Sequence, residues 1–145
     1  MRVWFDMDGT IADFYGVEGW FDDLTSESVR PYAEAKPLFS FARFAKLLHK
    51  LQANGIEIGI ISWLSKTSTT EFDEAVAEAK QKWLRKHLPS VVFDEIVIVA
   101  HGTPKEKFIT TKSDILFDDE QYNREHWTGV AHDVTHIIET LKEIV

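Results

Sequence analysis

Cysteine is absent from the 145 residues. That excludes disulfides, thiolate metal sites and a cysteine nucleophile together. Proline (4) and glycine (7) are few, and no Pro/Gly/Ser-rich linker, low-complexity tract or internal repeat divides the chain. No apolar run approaches the ~18–20 residues of a membrane span. Positive charge is also short: 16 Lys+Arg face 24 Asp+Glu, for a net charge of −8. A general grip on nucleic acid or on an anionic membrane needs clustered Lys/Arg and is not expected. Met1 to Phe5 runs straight into a strand-like segment with no signal-peptide pattern, so a cytoplasmic location is expected. What is present is ordinary for a soluble globular chain, 44% hydrophobic and 28% charged. The length fits one domain over residues 1–145 with a real core.

Apolar runs place the strands. Val3 to Asp6, Ile56 to Ser62, Glu95 to Ala100 and Asp114 to Asp119 are short and rich in Val, Ile and Leu; Gly129 to His132 is a weaker fifth. Near-continuous runs of this kind mark strands buried on both faces, as in a parallel sheet. Helical stripes lie between them. Leu38, Phe41, Phe44, Leu48 and Leu51 form one, stopped by Asn54-Gly55. Phe72, Val76, Ala79, Trp83 and Leu84 form another, opened by a capping-box pattern from Ser68 to Glu71 and ended by Pro89. Thr103-Pro104-Lys105-Glu106 reads as a third helix start. Val134, Ile137, Ile138, Leu141 and Ile144 form a last helix, with Asp133 as N-cap. Alternation of this kind predicts an α/β doubly wound fold on a mainly parallel five-stranded sheet. Residues 13–36 break the alternation. They hold six acids, two bases, Trp20 and Phe21, and are expected to form a small cap insertion after the first strand.

Ligands of doubly wound sheets bind beyond the carboxyl ends of the strands. Standing there would be Asp6-Met7-Asp8-Gly9-Thr10, then Ser62, then Lys105, then Asp118-Asp119. Four carboxylates brought together raise one another's pKa, and a hard divalent cation such as Mg²⁺ relieves them. An aspartate can also serve as a nucleophile toward phosphorus. Lys105, placed in the first turn of a helix, would oppose the helix dipole, which argues for a role other than structure.

These residues resemble the haloacid dehalogenase (HAD) superfamily of phosphohydrolases. Asp6-Met7-Asp8-Gly9-Thr10 is similar to its DxDGT signature. Ser62, Lys105 and Asp118-Asp119 stand where its second, third and fourth motifs are expected. The resemblance implies that Asp6 is the nucleophile, Asp8 the general acid and then base, and Lys105 the counter-charge. Ser62 would hold phosphate oxygens, and Thr10 and Trp63 are further candidates for substrate contact. Asp6, Asp8 (through its carbonyl), Asp118 and Asp119 would hold Mg²⁺, with the inner ligand of the last two left open. Gly102 to Lys105, Asp114 to Asp119, Asn123, Trp127 and the Ile11 to Phe14 stretch look more narrowly like the 5′(3′)-deoxyribonucleotidase branch.

Three functions follow as alternatives. The first is a Mg²⁺-dependent phosphomonoesterase of a small phosphorylated substrate such as a nucleotide. The second is a phosphatase of nucleic-acid ends or of a phosphoprotein, and the third a non-catalytic binder of metal or phospho-ligand. The acids of 13–36, placed at the rim, would disfavour long polyanions. The six histidines form no metal-binding pattern, and His132 and His136 read as surface or packing residues. Trp20, Phe21, Phe14 and Tyr15 would form a small core or stack on a base.

Overall fold

The computed structural model describes residues 1–66 and 69–145. Five parallel strands are β1 (Arg2–Phe5), β2 (Glu57–Trp63), β3 (Glu95–Val99), β4 (Ile115–Phe117) and β5 (Val130–His132), in the order β3-β2-β1-β4-β5. The chain moves outward from β1 to β3, then returns to the other side of β1 for β4. The order therefore reverses between β1 and β4, which is where such sheets open a crevice. Asp6 follows β1 and Asp118 follows β4, so the first and fourth acidic segments flank that switch. This is the expected α/β doubly wound fold.

The helices are α1 (Trp20–Thr25), α2 (Arg30–Glu34), α3 (Phe41–Ala53), α4 (Thr70–His87), α5 (Gln121–His126) and α6 (Ile137–Ile144). One sheet face, carrying Val3, Phe5, Ile58, Ile60 and Phe117, packs against Phe44, Leu48 and Leu51 of α3, Leu141 of α6 and Trp83 and Leu84 of α4. The opposite face, carrying Trp4, Ile61, Val97 and Leu116, is covered by Trp127, Phe108 and Ile109. Trp4 lies in register with Gly59, where a Cβ would stand 2.5 Å from the indole. Glycine is what admits that ring to the sheet.

Three local expectations are corrected. Ser40 caps α3 by accepting from the Arg43 N–H, so Leu38 lies before the helix and is exposed. The segment from Thr103 makes only a 3₁₀ turn, Lys105–Phe108, because Thr103 turns its hydroxyl back to the Ala100 carbonyl instead of capping. Asp133 caps a turn through the Thr135 N–H, and α6 begins later, after His136. Thr69 caps α4 by accepting from the Phe72 N–H; Ser68, at the start of the expected capping box, lies outside the described residues. α5 has no apolar stripe and is not evident in the sequence. Among the described residues no helix is long and apolar enough to cross a membrane.

At the end of the sheet away from the crevice, Asp114 is fully buried. Its carboxylate accepts from the Arg2 N–H at 2.8 Å, the Trp4 indole at 3.2 Å, and the Thr110 N–H and hydroxyl at 2.7 Å. It ties the start of β1 to the loop before β4. Burial pushes this carboxyl up, but the Thr110, Arg2 and Trp4 donors win and hold it at about 2. A carboxyl lowered by folding stabilises the fold above its unfolded value and loses that contribution as pH falls through the lowered one. Two outcomes are expected in urea unfolding: wild-type stability falls between about pH 4 and pH 2, and Asp114→Ala loses about 3 kcal/mol at neutral pH.

Candidate active site

The turn after β1 is wound tightly by the Thr10, Ile11 and Ala12 N–H groups, which all donate to the Met7 carbonyl. Gly9 sits at φ +80°, and a Cβ there would lie 2.3 Å from Asp119 Oδ2. Glycine thus lets the fourth acidic segment close against the first. Thr10 completes the link: its hydroxyl donates to Asp6 Oδ2 at 2.9 Å and accepts from the Asp119 N–H at 3.2 Å.

Lys105 is 2% exposed and spans the switch between β1 and β4. Its Nζ donates to Asp6 Oδ1 at 3.0 Å and to Asp118 Oδ2 at 2.7 Å. Burial disfavours the ammonium, but Asp6 and Asp118 outweigh that and hold it above its ordinary value. No helix dipole is involved, since Lys105 begins only a single 3₁₀ turn; its carboxylate partners account for its burial. Asp118, itself fully buried, also accepts from the Glu120 N–H and from Asn123 Nδ2.

Asp8 faces the other way. Its Oδ2 accepts from Lys80 Nζ at 2.9 Å, and the same ammonium donates to Ser62 Oγ at 2.6 Å and to the Trp63 carbonyl at 2.8 Å. Lys80 lies outside the four motifs, although a signal for it exists in the sequence. Val76, Lys80 and Leu84 share one face at i, i+4 spacing, and a lysine inside an apolar stripe is rarely buried without a partner. Thr10 and Ser62 are both 1% exposed and do not line the cavity described next, whereas Trp63 does.

A cavity of about 410 Å³ opens above the acids. Asp6, Asp8, Asp118 and Asp119 lie at its base with Lys105 and Asn123. Its walls are aromatic: Phe14, Tyr15, Trp20, Phe21 and Tyr32 on one side, Trp63 on the other. The first five come from residues 13–36, where Phe14 packs on Tyr32 and on Phe72 and Val76 of α4. The acids of this segment do not line the cavity. Asp23 and Glu34 pair with Arg30, and Glu27 accepts from the Thr69 N–H. The expected acidic rim is thus corrected to an aromatic one. His101 lies beside Trp63, ring centroids 4.8 Å apart.

The model of one family, described as 5′ nucleotidase, deoxy (pyrimidine), cytosolic type C protein, matches residues 32–140, well over half of the chain. The chain belongs to that family. It is a branch of HAD-type phosphohydrolases, as the four motifs implied. The matched span holds Ser62, Lys80, Lys105, Asp118 and Asp119, while Asp6 and Asp8 precede it. No curated protein matches the chain. Among solved structures, a chain of "Structure of Pnkp1/Rnl/Hen1 complex" superposes with a TM-score of 0.58 at 16% identity. The likeness covers 92% of this chain and 44% of that one, and it shows a shared fold.

HAD-type nucleotidases use a divalent metal, and the donor set here fits one. Carboxylate oxygens of Asp6, Asp118 and Asp119 lie within 4.8 Å of one another, an all-oxygen set suited to a hard cation. Burial, then Asp6, pushes Asp118 and Asp119 up. Carboxyls raised by folding make the fold less stable as pH climbs from their unfolded value through the raised one. A bound dication opposes this and displaces protons. In chelator, the thermal midpoint is expected to fall as pH rises from about 5 to 8. Asp119→Asn should raise that midpoint at the upper pH and abolish the further rise expected for the wild type on adding a divalent cation. Differential scanning calorimetry checks both.

Proposed function

We propose that the protein is a Mg²⁺-dependent phosphomonoesterase that works through a phosphoaspartate on Asp6, with a nucleotide or similar small monoester as substrate. The observation carrying this reading is one cavity with an acidic, lysine-clamped base and aromatic walls. The base suits a phosphate and the walls suit a flat leaving group. On this reading residues 1–145 act as one domain, and residues 13–36 serve as a minimal cap.

The chemistry follows from the hydrogen bonds. Lys105 and Thr10 hold the two oxygens of Asp6, fixing the carboxylate while leaving lone pairs for attack. Asp6 bonds to phosphorus as the ester P–O bond breaks, and Asp8 gives its proton to the departing oxygen. Burial, against the pull of Lys80, raises the Asp8 carboxyl, which favours the protonated form that this step needs. Water then attacks phosphorus, Asp8 takes its proton, and the bond to Asp6 breaks to release phosphate. Ser62, buried outside the cavity lining and bonded to Lys80, supports the site from behind, and Trp63 faces the leaving group. Mg²⁺, when held by Asp6, Asp118, Asp119 and the Asp8 carbonyl, supplies electrostatic shielding between nucleophile and phosphate.

Phosphate release with Mg²⁺ is the test, across deoxynucleoside monophosphates, glycerol 2-phosphate, a 3′-phosphorylated oligonucleotide and a phosphopeptide. Deoxynucleotides are expected to react fastest, and Asp6→Asn to lose more than about 10³-fold. Trp20→Ala should raise KM for the nucleotide by about 5- to 50-fold, as for a lost stacking platform, with little change for glycerol 2-phosphate. Preference for the oligonucleotide or phosphopeptide would move the assignment to macromolecular ends. Inactivity on every ester would leave a binding protein.

A further inference from the structure

Lys80 has no part in the chemistry above, yet it is a fully buried cation at the edge of the site, 1% exposed. All three of its N–H bonds are spent inside the protein: on Asp8 Oδ2, Ser62 Oγ and the Trp63 carbonyl. An ammonium has three donors and no more, so none is left for a substrate oxygen. Its influence must pass through the groups it holds. We infer that Lys80 is a positioning residue that turns the Asp8 carboxylate out of the cation cluster and toward the leaving-group side of the cavity. The inference rests on the phosphomonoesterase reading.

Two features of the geometry support it. First, the four carboxylates are divided. Oxygens of Asp6, Asp118 and Asp119 gather within 4.8 Å, and Asp8 is not in that group although it is two residues from Asp6. The ammonium that gathers Asp6 and Asp118 is Lys105, and the one that draws Asp8 aside is Lys80. The second cation thus holds the Asp8 carboxylate apart from its neighbours. Second, the same ammonium donates to the Ser62 hydroxyl and the Trp63 carbonyl, so Asp8 is anchored to the end of β2 beside the Trp63 wall of the cavity. One lysine thereby sets where Asp8 stands relative to that wall. The Tyr32 ring, 5.2 Å from Nζ, closes the cation from above and ties its position to the aromatic wall.

The prediction concerns which substrates suffer. Proton donation matters greatly when the leaving group is an alkoxide and little when it is p-nitrophenolate. kcat/KM covers phosphoryl transfer to Asp6 and excludes the later hydrolysis, so it isolates that step. Lys80→Met should therefore lose about 100-fold or more in kcat/KM on a deoxynucleoside 5′-monophosphate and less than about tenfold on p-nitrophenyl phosphate. A structural role would lower both alike. Equal losses on the two esters, with the wild type active, overturn the inference and leave the phosphatase reading standing. A wild type inactive on both esters overturns that reading and the inference with it. The single variant leaves a buried carboxylate without its cation and can fail to fold. Lys80→Met in an Asp8→Asn background removes both charges. On p-nitrophenyl phosphate this double variant should match Asp8→Asn within about threefold, as for two residues acting as a unit. A further loss of tenfold or more shows Lys80 acting independently of Asp8 and overturns the inference.

Discussion

Two buried ammonium groups decide how four carboxylates can share one end of a parallel sheet. Like charges about 5 Å apart repel by roughly 3 kcal/mol even at an effective dielectric of ~20, and three of the four stand closer than that. Lys105 holds the pair at the strand-order switch, and Lys80 holds Asp8. The same two contacts fix the rest of the architecture. Lys105 joins the end of β1 to the end of β4, neighbours in the sheet but far apart in sequence. Lys80 joins α4 to the loop after β1 and to the end of β2.

The clamp is incomplete by itself. Asp118 and Asp119 stay raised by burial and by Asp6, so the site strains the fold that contains it. Gly9 deepens the strain by bringing Asp119 closer than any side chain at that position would allow. The Asp114 knot at the far end of the sheet is the contrast. It too is a buried carboxylate, but surrounding N–H and hydroxyl donors lower its pKa to about 2. One carboxylate is satisfied and adds stability; the clustered ones are left short of positive charge, which is what a cation-binding site requires.

Most of this was legible where local chemistry is dictated by a short stretch of chain. Parallel strands read as unbroken apolar runs, and the residue ending each run lands at the crevice. Asp6 and Asp118-Asp119 do line the cavity, whereas Ser62, at the end of β2, is buried behind it. Lys105 stands where the third motif is expected, but the helix dipole expected there does not exist, because Thr103 turns back to Ala100 and leaves only a 3₁₀ turn. Lys80 is hidden within the α4 stripe, whose periodicity is carried by its apolar members. Charge counted without partners puts the acids of residues 13–36 at a rim. Arg30 and Thr69 engage three of them, away from the cavity. Such pairings depend on how two short helices fold over α4, and no periodicity in the sequence encodes that.

α4 is the strut that makes these parts one device. Its first half, through Phe72, Val76 and Ala79, packs under the aromatic segment, and its last turns, through Trp83 and Leu84, pack on the sheet. Trp83 also donates to the Ala35 carbonyl, where that segment rejoins the core. Lys80 falls at the joint between the halves. The aromatic wall and the Asp8 carboxylate therefore both hang from one helix. The charge arithmetic then closes. With Asp8 protonated, three carboxylates against two lysines leave −1, and one dication would bring the site to +1. On the proposed reading a phosphate dianion meets a cationic site, and the acidity of the whole chain, −8, is no obstacle to a phosphorylated substrate.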